Sequence, residues 1–249
     1  MRFIFSLKRI ILPLFIMATT IITLPSCRKT IDETSSPKTA KELTEAIRQM
    51  QYNNETPGFA ISIIKDDQLI YQEAFGQADI ANNQAYTNTT TQPIGSISKT
   101  FIAAAIIHAI EAGYFTLETS INEILPFEVH NPNQPDSVIR VKHLVTHTSG
   151  LIDNAEAYFA AYHIPPGEDL STSGAQLIQY AFGVEQRAGI PLGEFLMNYY
   201  TEEGSSYSLD NFSTNAPGVS WLYSNIASSL AAYLVEVATS TPFKEYVST

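Results

Sequence analysis

The spacing of apolar residues along the chain predicts three main helices. The first follows Ser36-Pro37, a pair typical of a helix start, and its apolar residues recur one turn apart at Leu43, Ile47 and Met50. The second covers residues 96–112, which are apolar on nearly every side, so we expect this helix to be buried. Gly113 is a natural C-terminal cap for it. The third helix is predicted for residues 226–239.

Between the first two helices the pattern changes to that of strands. Residues 59–64 and 69–75 are rich in β-branched and aromatic side chains, and residues 65–68 connect them, which predicts a β-hairpin. Two strands alone are marginally stable, so we expect the hairpin to belong to a larger sheet. Asp66 and Asp67 could be paired catalytic carboxylates, but at this position they are more simply turn formers.

The region between the second and third helices has less regular patterning. Residues 138–148 indicate a strand-to-helix transition that ends at Ser149-Gly150. Residues 151–217 contain many aromatic side chains and predict loops with short helices. Such a segment is typical of a helical lid over a site, and equally of an irregular subdomain.

The N-terminus has the layout of a secretory signal. Residues 1–9 are short and basic, residues 10–24 are apolar, and the small Ser26 precedes Cys27, the chain's only cysteine. The apolar run is shorter than the roughly 20 residues that span a bilayer. The pattern resembles the lipobox of bacterial lipoproteins, which implies a signal peptide over residues 1–26 and a lipid-anchored tether over residues 27–37. An uncleaved N-terminal anchor is the alternative, and either one places the body outside the cytoplasm at a membrane.

Charge excludes one class of partner. The 249 residues include 14 basic and 25 acidic side chains, a net charge of -11. Without residues 1–26 the balance is 11 basic to 25 acidic residues, a net of -14. A chain this acidic, with no basic stripe, is not expected to bind nucleic acid.

Candidate chemistry begins at the start of the second helix. There Ser96 and Lys99 lie three residues apart, which places them on one helical face. A serine hydroxyl becomes a good nucleophile when a neighbouring group takes its proton, and a partly desolvated lysine amine can do so. The alternative is a Ser/Thr-rich helix start with a surface lysine.

A second polar pair precedes the third helix. Tyr223 and Asn225 are two residues apart, so an extended backbone would point both side chains the same way. A tyrosinate beside an ammonium is a competent general base, and an asparagine amide can orient a substrate carbonyl or the lysine. The alternative is a tyrosine that packs by its ring and an asparagine that caps the helix.

Two histidines suggest, and then disfavour, a metal site. His143 and His147 lie four residues apart, as two zinc ligands on one helical face would. No glutamate lies between them and no third ligand is evident, so a helix end with polar capping explains the segment better.

Taken in order, these motifs resemble the class C β-lactamase-like serine hydrolases, which include penicillin-binding peptidases and esterases. The resemblance rests on Ser96-x-x-Lys99, the block at residues 143–151 and Tyr223-x-Asn225, and extends from about residue 56 to 247. It implies an α+β fold of the β-lactamase/transpeptidase type, an antiparallel sheet flanked by helices, with a mainly helical region at about residues 115–220. It also implies acylation of Ser96, proton transfer by Lys99 and Tyr223, substrate binding by Asn225, and no metal or cofactor.

The sequence departs from this family in one respect. The family's third motif, a lysine or histidine followed by a small residue and glycine, lies on a late strand. No glycine follows Gly218 in this chain. We therefore expect residues 38–249 to be an incomplete hydrolase domain without its C-terminal strands, open to completion by another chain.

Two functions from different classes follow. The first is a serine hydrolase at the cell envelope, facing the periplasm or exterior, that acts on β-lactams, D-amino-acid peptides derived from peptidoglycan, or small esters. The alternative is a truncated, non-catalytic lipoprotein that binds cell-wall peptides or a partner chain.

Overall fold

The computed structural model describes residues 36–53 and 56–248. The predicted signal peptide, residues 1–26, and Cys27 lie outside these residues. The chain divides into two compact units, with the boundary between Gln92 and Pro93, and each has its own hydrophobic core. Within the described residues no helix is both long and apolar enough to cross a bilayer.

The first unit opens with helix α1, Ala40–Asn53, which begins later than the sequence predicts. Thr39 rather than Ser36 starts the helix, because the Thr39 hydroxyl accepts a hydrogen bond from the Glu42 amide. The Glu42 carboxylate in turn accepts one from the amide of Lys38. A threonine and a glutamate three residues apart thus satisfy one amide of the first turn and one just before the helix.

The predicted hairpin is confirmed. Strand β1, Gly58–Lys65, pairs antiparallel with strand β2, Gln68–Asp79, and β2 also pairs with the two-residue strand β3, Gln84–Ala85. Asp66 and Asp67 form a two-residue turn with positive φ angles of 50° and 59°, as tight hairpin turns require. Tyr71 and Phe75 of β2 pack with Ile47 of α1 in the core of this unit.

The second unit is helical. Its helices are α2 (Lys99–Glu111), α3 (Val141–Val145), α4 (Ala155–Ala161), α5 (Ser173–Phe182), α6 (Leu192–Tyr200), α7 (Asn225–Thr239) and α8 (Phe243–Tyr246). Helices in one part of the chain and an antiparallel sheet in another make this an α+β protein, as the sequence predicts. The short helices α4, α5 and α6 fall in the segment predicted to contain them.

Helix α7 is the centre of the second core. Helix α7 packs against α2, α3 and α6. Six of its buried side chains belong to this core: Ile226, Ala227, Leu230, Ala231, Leu234 and Val235. Ala105, Ile106 and Ala109 supply the facing side of α2. This packing fixes the start of α7 beside the start of α2, which is where the candidate chemistry lies.

Two expectations about α2 need correction. Ser96 lies in a 3-10 turn, Gly95–Ser98, and the α-helix begins only at Lys99. The helix is also not buried on every side: Phe101 is 53% exposed and Ile107 is 57% exposed. An apolar sequence shows that a helix is suited to burial, but which of its faces find neighbours depends on residues far away in the chain.

Candidate active site

The structure brings the predicted serine, lysine, tyrosine and asparagine together. Ser96 Oγ lies 2.6 Å from Tyr223 Oη and 3.3 Å from Lys99 Nζ. Lys99 Nζ also donates a hydrogen bond to Asn225 Oδ1 at 2.7 Å. Two stretches of chain more than 120 residues apart therefore meet at one hydroxyl group.

Local backbone geometry places Ser96 and Lys99 on the same side. Side chains three residues apart are nearly eclipsed in a 3-10 turn, so the lysine amine is held against the serine hydroxyl. Gly95, immediately before Ser96, has φ of 54°, a conformation that glycine adopts without strain. The turn thus requires the glycine that the sequence has there.

Tyr223 and Asn225 are oriented by the start of α7. Ser224 between them is extended, with φ of -139° and ψ of 126°, so the two side chains point the same way. Ser224 is also the N-cap, because its hydroxyl accepts a hydrogen bond from the Ala227 amide. Asn225 is therefore the first helical residue rather than the cap.

Asp153 is a member of this cluster that the sequence analysis missed. Its carboxylate accepts four hydrogen bonds at the start of α7: from the Ser224 hydroxyl, from the backbone amides of Asn225 and Ile226, and from Asn225 Nδ2. The last bond fixes the asparagine amide with its nitrogen toward Asp153, so that Oδ1 faces Lys99. Both ends of that amide are used within the protein, and a substrate-binding role for Asn225 stays a prediction.

Asp153 is itself held by a buried tyrosine. The Tyr199 hydroxyl donates to the Ile152 carbonyl and accepts from the Asn154 amide, both at 2.7 Å. Burial raises the pKa of Tyr199 to about 12, so it remains a neutral donor. Nothing near Asp153 in the sequence indicates this role, since its partners lie more than 70 residues further on.

His143 and His147 do not share a helical face. His143 lies in α3 and its Nδ1 accepts from the Arg140 amide, whereas His147 follows the helix with φ of 56°. His147 Nδ1 accepts from the Ser224 amide, and its ring lies 4.7 Å from that of Tyr223. Among the described residues, no three side chains of the types that bind metals come together.

Electrostatics favour the deprotonated form of Tyr223, which is the form able to accept a proton. Hydrogen bonding with Lys99, then with Ser96, lowers the pKa of the Tyr223 phenol, and the positive charge of Lys99 adds to this effect. Lys99 Nζ lies 4.9 Å from the centre of the Tyr223 ring. Burial, followed by the charge of Lys99, lowers the pKa of His147, so its imidazole is neutral at pH 7. A neutral ring can accept the hydrogen bond from the Ser224 amide at Nδ1.

The cluster opens into a cavity of about 570 Å³, large enough for a small organic molecule. Ser96 and Lys99 lie on one side of it, and the aromatic rings of Tyr158, Tyr162 and Phe195 lie on its wall. A second cavity of about 610 Å³ is lined by residues that include Glu128, His130 and Glu202. Thr201 is the one serine, threonine, cysteine or lysine among the residues that line this second cavity, and its hydroxyl donates to the Met197 carbonyl rather than to a base. The first cavity is therefore the candidate active site.

Comparison with known proteins places this chain in a family. A family model described as Beta-lactamase matches residues 43–249. The chain therefore belongs to the beta-lactamase family, and the resemblance inferred from its motifs is confirmed.

Relatives and solved structures agree with this assignment. The chain is 25% identical over 185 residues to esterase EstB from Burkholderia gladioli, an alignment that covers 74% of this chain and 41% of the esterase. An octameric penicillin-binding protein homologue from Pyrococcus abyssi superposes with a TM-score of 0.60 and 23% identity, covering 84% of this chain and 41% of that one. A class C beta-lactamase superposes with a TM-score of 0.52 and 19% identity, covering 82% and 45% of the two chains. This chain thus spans less than half the length of each.

Proposed function

We propose that this protein is a serine hydrolase that forms an acyl-enzyme at Ser96. The observation that carries the proposal is the hydrogen-bonded cluster in which Ser96 Oγ lies between Tyr223 Oη and Lys99 Nζ. Nucleophile, base and an orienting partner within hydrogen-bond reach are the arrangement that serine nucleophiles require. Membership of a family whose relatives include an esterase supports it.

The geometry suggests the order of proton transfers. Tyr223, as tyrosinate, accepts the proton of Ser96 while Oγ attacks the acyl carbonyl of the substrate. Tyr223 then returns that proton to the leaving group, and an acyl group remains on Ser96. In the second half, Tyr223 takes a proton from water, whose oxygen attacks the acyl-enzyme. Tyr223 then returns that proton to Ser96 Oγ as the bond between Oγ and the acyl group breaks, which releases the acid and restores the tyrosinate. The positive end of the α2 dipole favours the negative charge that develops beside Ser96.

Lys99 and Asn225 have supporting roles in this proposal. The Lys99 ammonium stabilises the tyrosinate, and its hydrogen bond to Asn225 Oδ1 holds it in place. The substrate class is an acyl compound with a good leaving group: a β-lactam, a D-amino-acid peptide or a small ester. We also propose that Cys27 anchors the protein at the cell envelope, where cell-wall peptides are present.

The test is intact-mass measurement of the folded chain after incubation with a reporter penicillin and, separately, with an activated ester. We expect a covalent adduct or ester turnover that Ser96→Ala abolishes. Ser205→Ala is the matched control, because Ser205 is an exposed serine that does not line this cavity, and it should behave as the parent does. If neither probe reacts with a chain whose circular dichroism shows it folded, the hydrolase proposal is wrong and the non-catalytic binding function takes its place.

A further inference from the structure

An apolar pocket lies beside the catalytic cavity and has no role in the chemistry described above. Its volume is about 360 Å³, and six side chains from α4, α5 and the segments that follow them line it: Tyr158, Phe159, Tyr162, Ile178, Phe182 and Val184. No charged side chain is among these six, in contrast to the lysine and the polar groups around Ser96. A pocket of this composition favours an uncharged, apolar occupant.

The pocket and the catalytic cavity are neighbours. Tyr158 and Tyr162 line both, so the two tyrosines form the boundary between the space beside Ser96 and the apolar pocket. Their hydroxyls are hydrogen-bonded to each other. The two hydroxyl groups are therefore paired with each other, and the tyrosine rings provide the surface that an apolar group can contact.

The other four lining residues are two phenylalanines, an isoleucine and a valine, all of them apolar. The rings of Phe159 and Phe182 are nearly parallel, with an interplanar angle of 14° and centroids 6.3 Å apart. Val184 is buried, whereas Phe159 and Phe182 are each about half exposed, so the pocket is open to solvent on their side. An apolar cavity of about 150 Å³ already accommodates benzene, so this one has room for an aryl ring or an alkyl chain of several carbons.

We propose that this pocket is a substrate subsite that binds an apolar alkyl or aryl group of the molecule that reacts at Ser96. The proposal rests on the proposed hydrolase function and narrows its substrate class to acyl compounds that carry such a group. Transfer of each methylene from water into the pocket should tighten binding about fourfold. A charged or peptide-like group would lose its hydrogen bonds to water there and bind less well.

The test separates binding from chemistry by using the Ser96→Ala chain, which lacks the nucleophile. Ligand-observed NMR titrations measure its affinity for two series of esters: methyl esters from acetate to hexanoate, and acetate esters from methyl to hexyl alcohol. We expect affinity to rise about fourfold per methylene in one series. The series that shows the rise identifies whether the acyl half or the alcohol half enters the pocket, and affinity independent of length in both overturns the proposal.

A matched pair of variants locates the effect. In the same background, Ile178→Asn places an amide in the pocket and should remove the dependence on chain length. Leu177→Asn changes the adjacent residue of α5, which is exposed and outside the pocket, and should preserve it. Equal slopes for the two variants would also overturn the assignment.

The subsite proposal and the hydrolase proposal can fail independently, and the measurements distinguish the two cases. If the parent chain shows no turnover while the Ser96→Ala chain still binds longer esters more tightly, the catalytic proposal fails and the pocket stands. If the parent chain hydrolyses all the esters with the same kcat/KM and neither titration series shows a rise, the site is catalytic and the pocket has no part in recognition.

Discussion

The Ser96–Tyr223 hydrogen bond leads us to predict how the rate of hydrolysis depends on pH. Only the deprotonated phenol accepts a proton, so kcat/KM should rise as pH increases through the pKa of Tyr223. Hydrogen bonding with Lys99 lowers that pKa, so the rise should be centred below the ordinary tyrosine value of about 10. A pH profile of ester hydrolysis measures it, and Tyr223→Phe should remove most of the activity. A rate independent of pH from 6 to about 10 would exclude Tyr223 as the base.

The same residue can be examined without turnover. The ultraviolet absorbance of tyrosinate, recorded as the difference between the parent chain and Tyr223→Phe, isolates this phenol from the other 12 of the chain's 13 tyrosines. We expect Lys99→Met to raise its midpoint, because the substitution removes both the hydrogen bond and the positive charge that lower the pKa.

Asp153 should act as a positioning residue. In Asp153→Asn, an amide replaces a carboxylate that accepts four hydrogen bonds, so an N–H group must face another donor and Asn225 loses its fixed orientation. We expect kcat to fall about 10- to 100-fold with a smaller change in KM, because Lys99 is displaced rather than substrate contacts removed. Asp136→Asn, an exposed aspartate elsewhere, is the control.

A purely structural role for Asp153 would give a different result. Loss of stability alone lowers the concentration of active protein and leaves the pH profile of the remaining activity unchanged. Displacement of Lys99 should instead move the midpoint of kcat/KM to higher pH, because the pKa of Tyr223 depends on that lysine. An unchanged midpoint would contradict the positioning role.

At the residue level the sequence predicts the relative orientation of side chains that are close together along the chain. Ser96 with Lys99 and Tyr223 with Asn225 are each pairs whose relative orientation depends on two or three residues of backbone. Asp153 could not be found this way, since its four hydrogen bonds all come from residues 224–226. Contacts between distant residues depend on how α7 packs, and no local pattern records that.

Helix α7 is the element on which the site depends most. Leu230, at its middle, is fully buried within the core that joins α7 to α2 and α6. We expect Leu230→Ala to lower the free energy of unfolding by about 2–5 kcal/mol, through lost burial and the cavity left behind. Leu177→Ala, the same change at an exposed position, should cost less than about 0.5 kcal/mol. Chemical denaturation of both variants measures the difference, and equal values would show that α7 is not central to the core.

The elements themselves were predicted with differing success. The hairpin and α7 were predicted well, because strong β-branched enrichment and helical spacing leave few alternatives. The start of α1 was placed too early at Ser36, since several polar residues there could cap a helix and only the bond from the Glu42 amide selects Thr39. The 3-10 turn around Ser96 was missed because its sequence suits an α-helix equally well.

On the scale of the whole molecule, the described residues form two units, and each unit has its own core. The apolar residues that the sequence pattern assigns to helices and strands supply these cores. Apolar positions of α1 and the hairpin meet in one core, and those of α2, α3, α6 and α7 meet in the other. Which helices become neighbours was not predictable, because their apolar faces are similar in composition.

The N-terminal segment makes the last prediction, which concerns where the whole molecule resides. A basic, then apolar, then small-residue sequence ahead of the only cysteine predicts export and attachment of a lipid to Cys27. One or more acyl chains add about 0.8 kcal/mol of membrane affinity per buried methylene, so the parent protein should sediment with membranes. In a bacterial host fed a labelled fatty acid, we expect label on the parent chain and none on Cys27→Ser. Label on both, or an unlabelled parent chain, would contradict the anchor, whereas loss of label with retained ester hydrolysis would show that the anchor fixes location and leaves the chemistry at Ser96 intact.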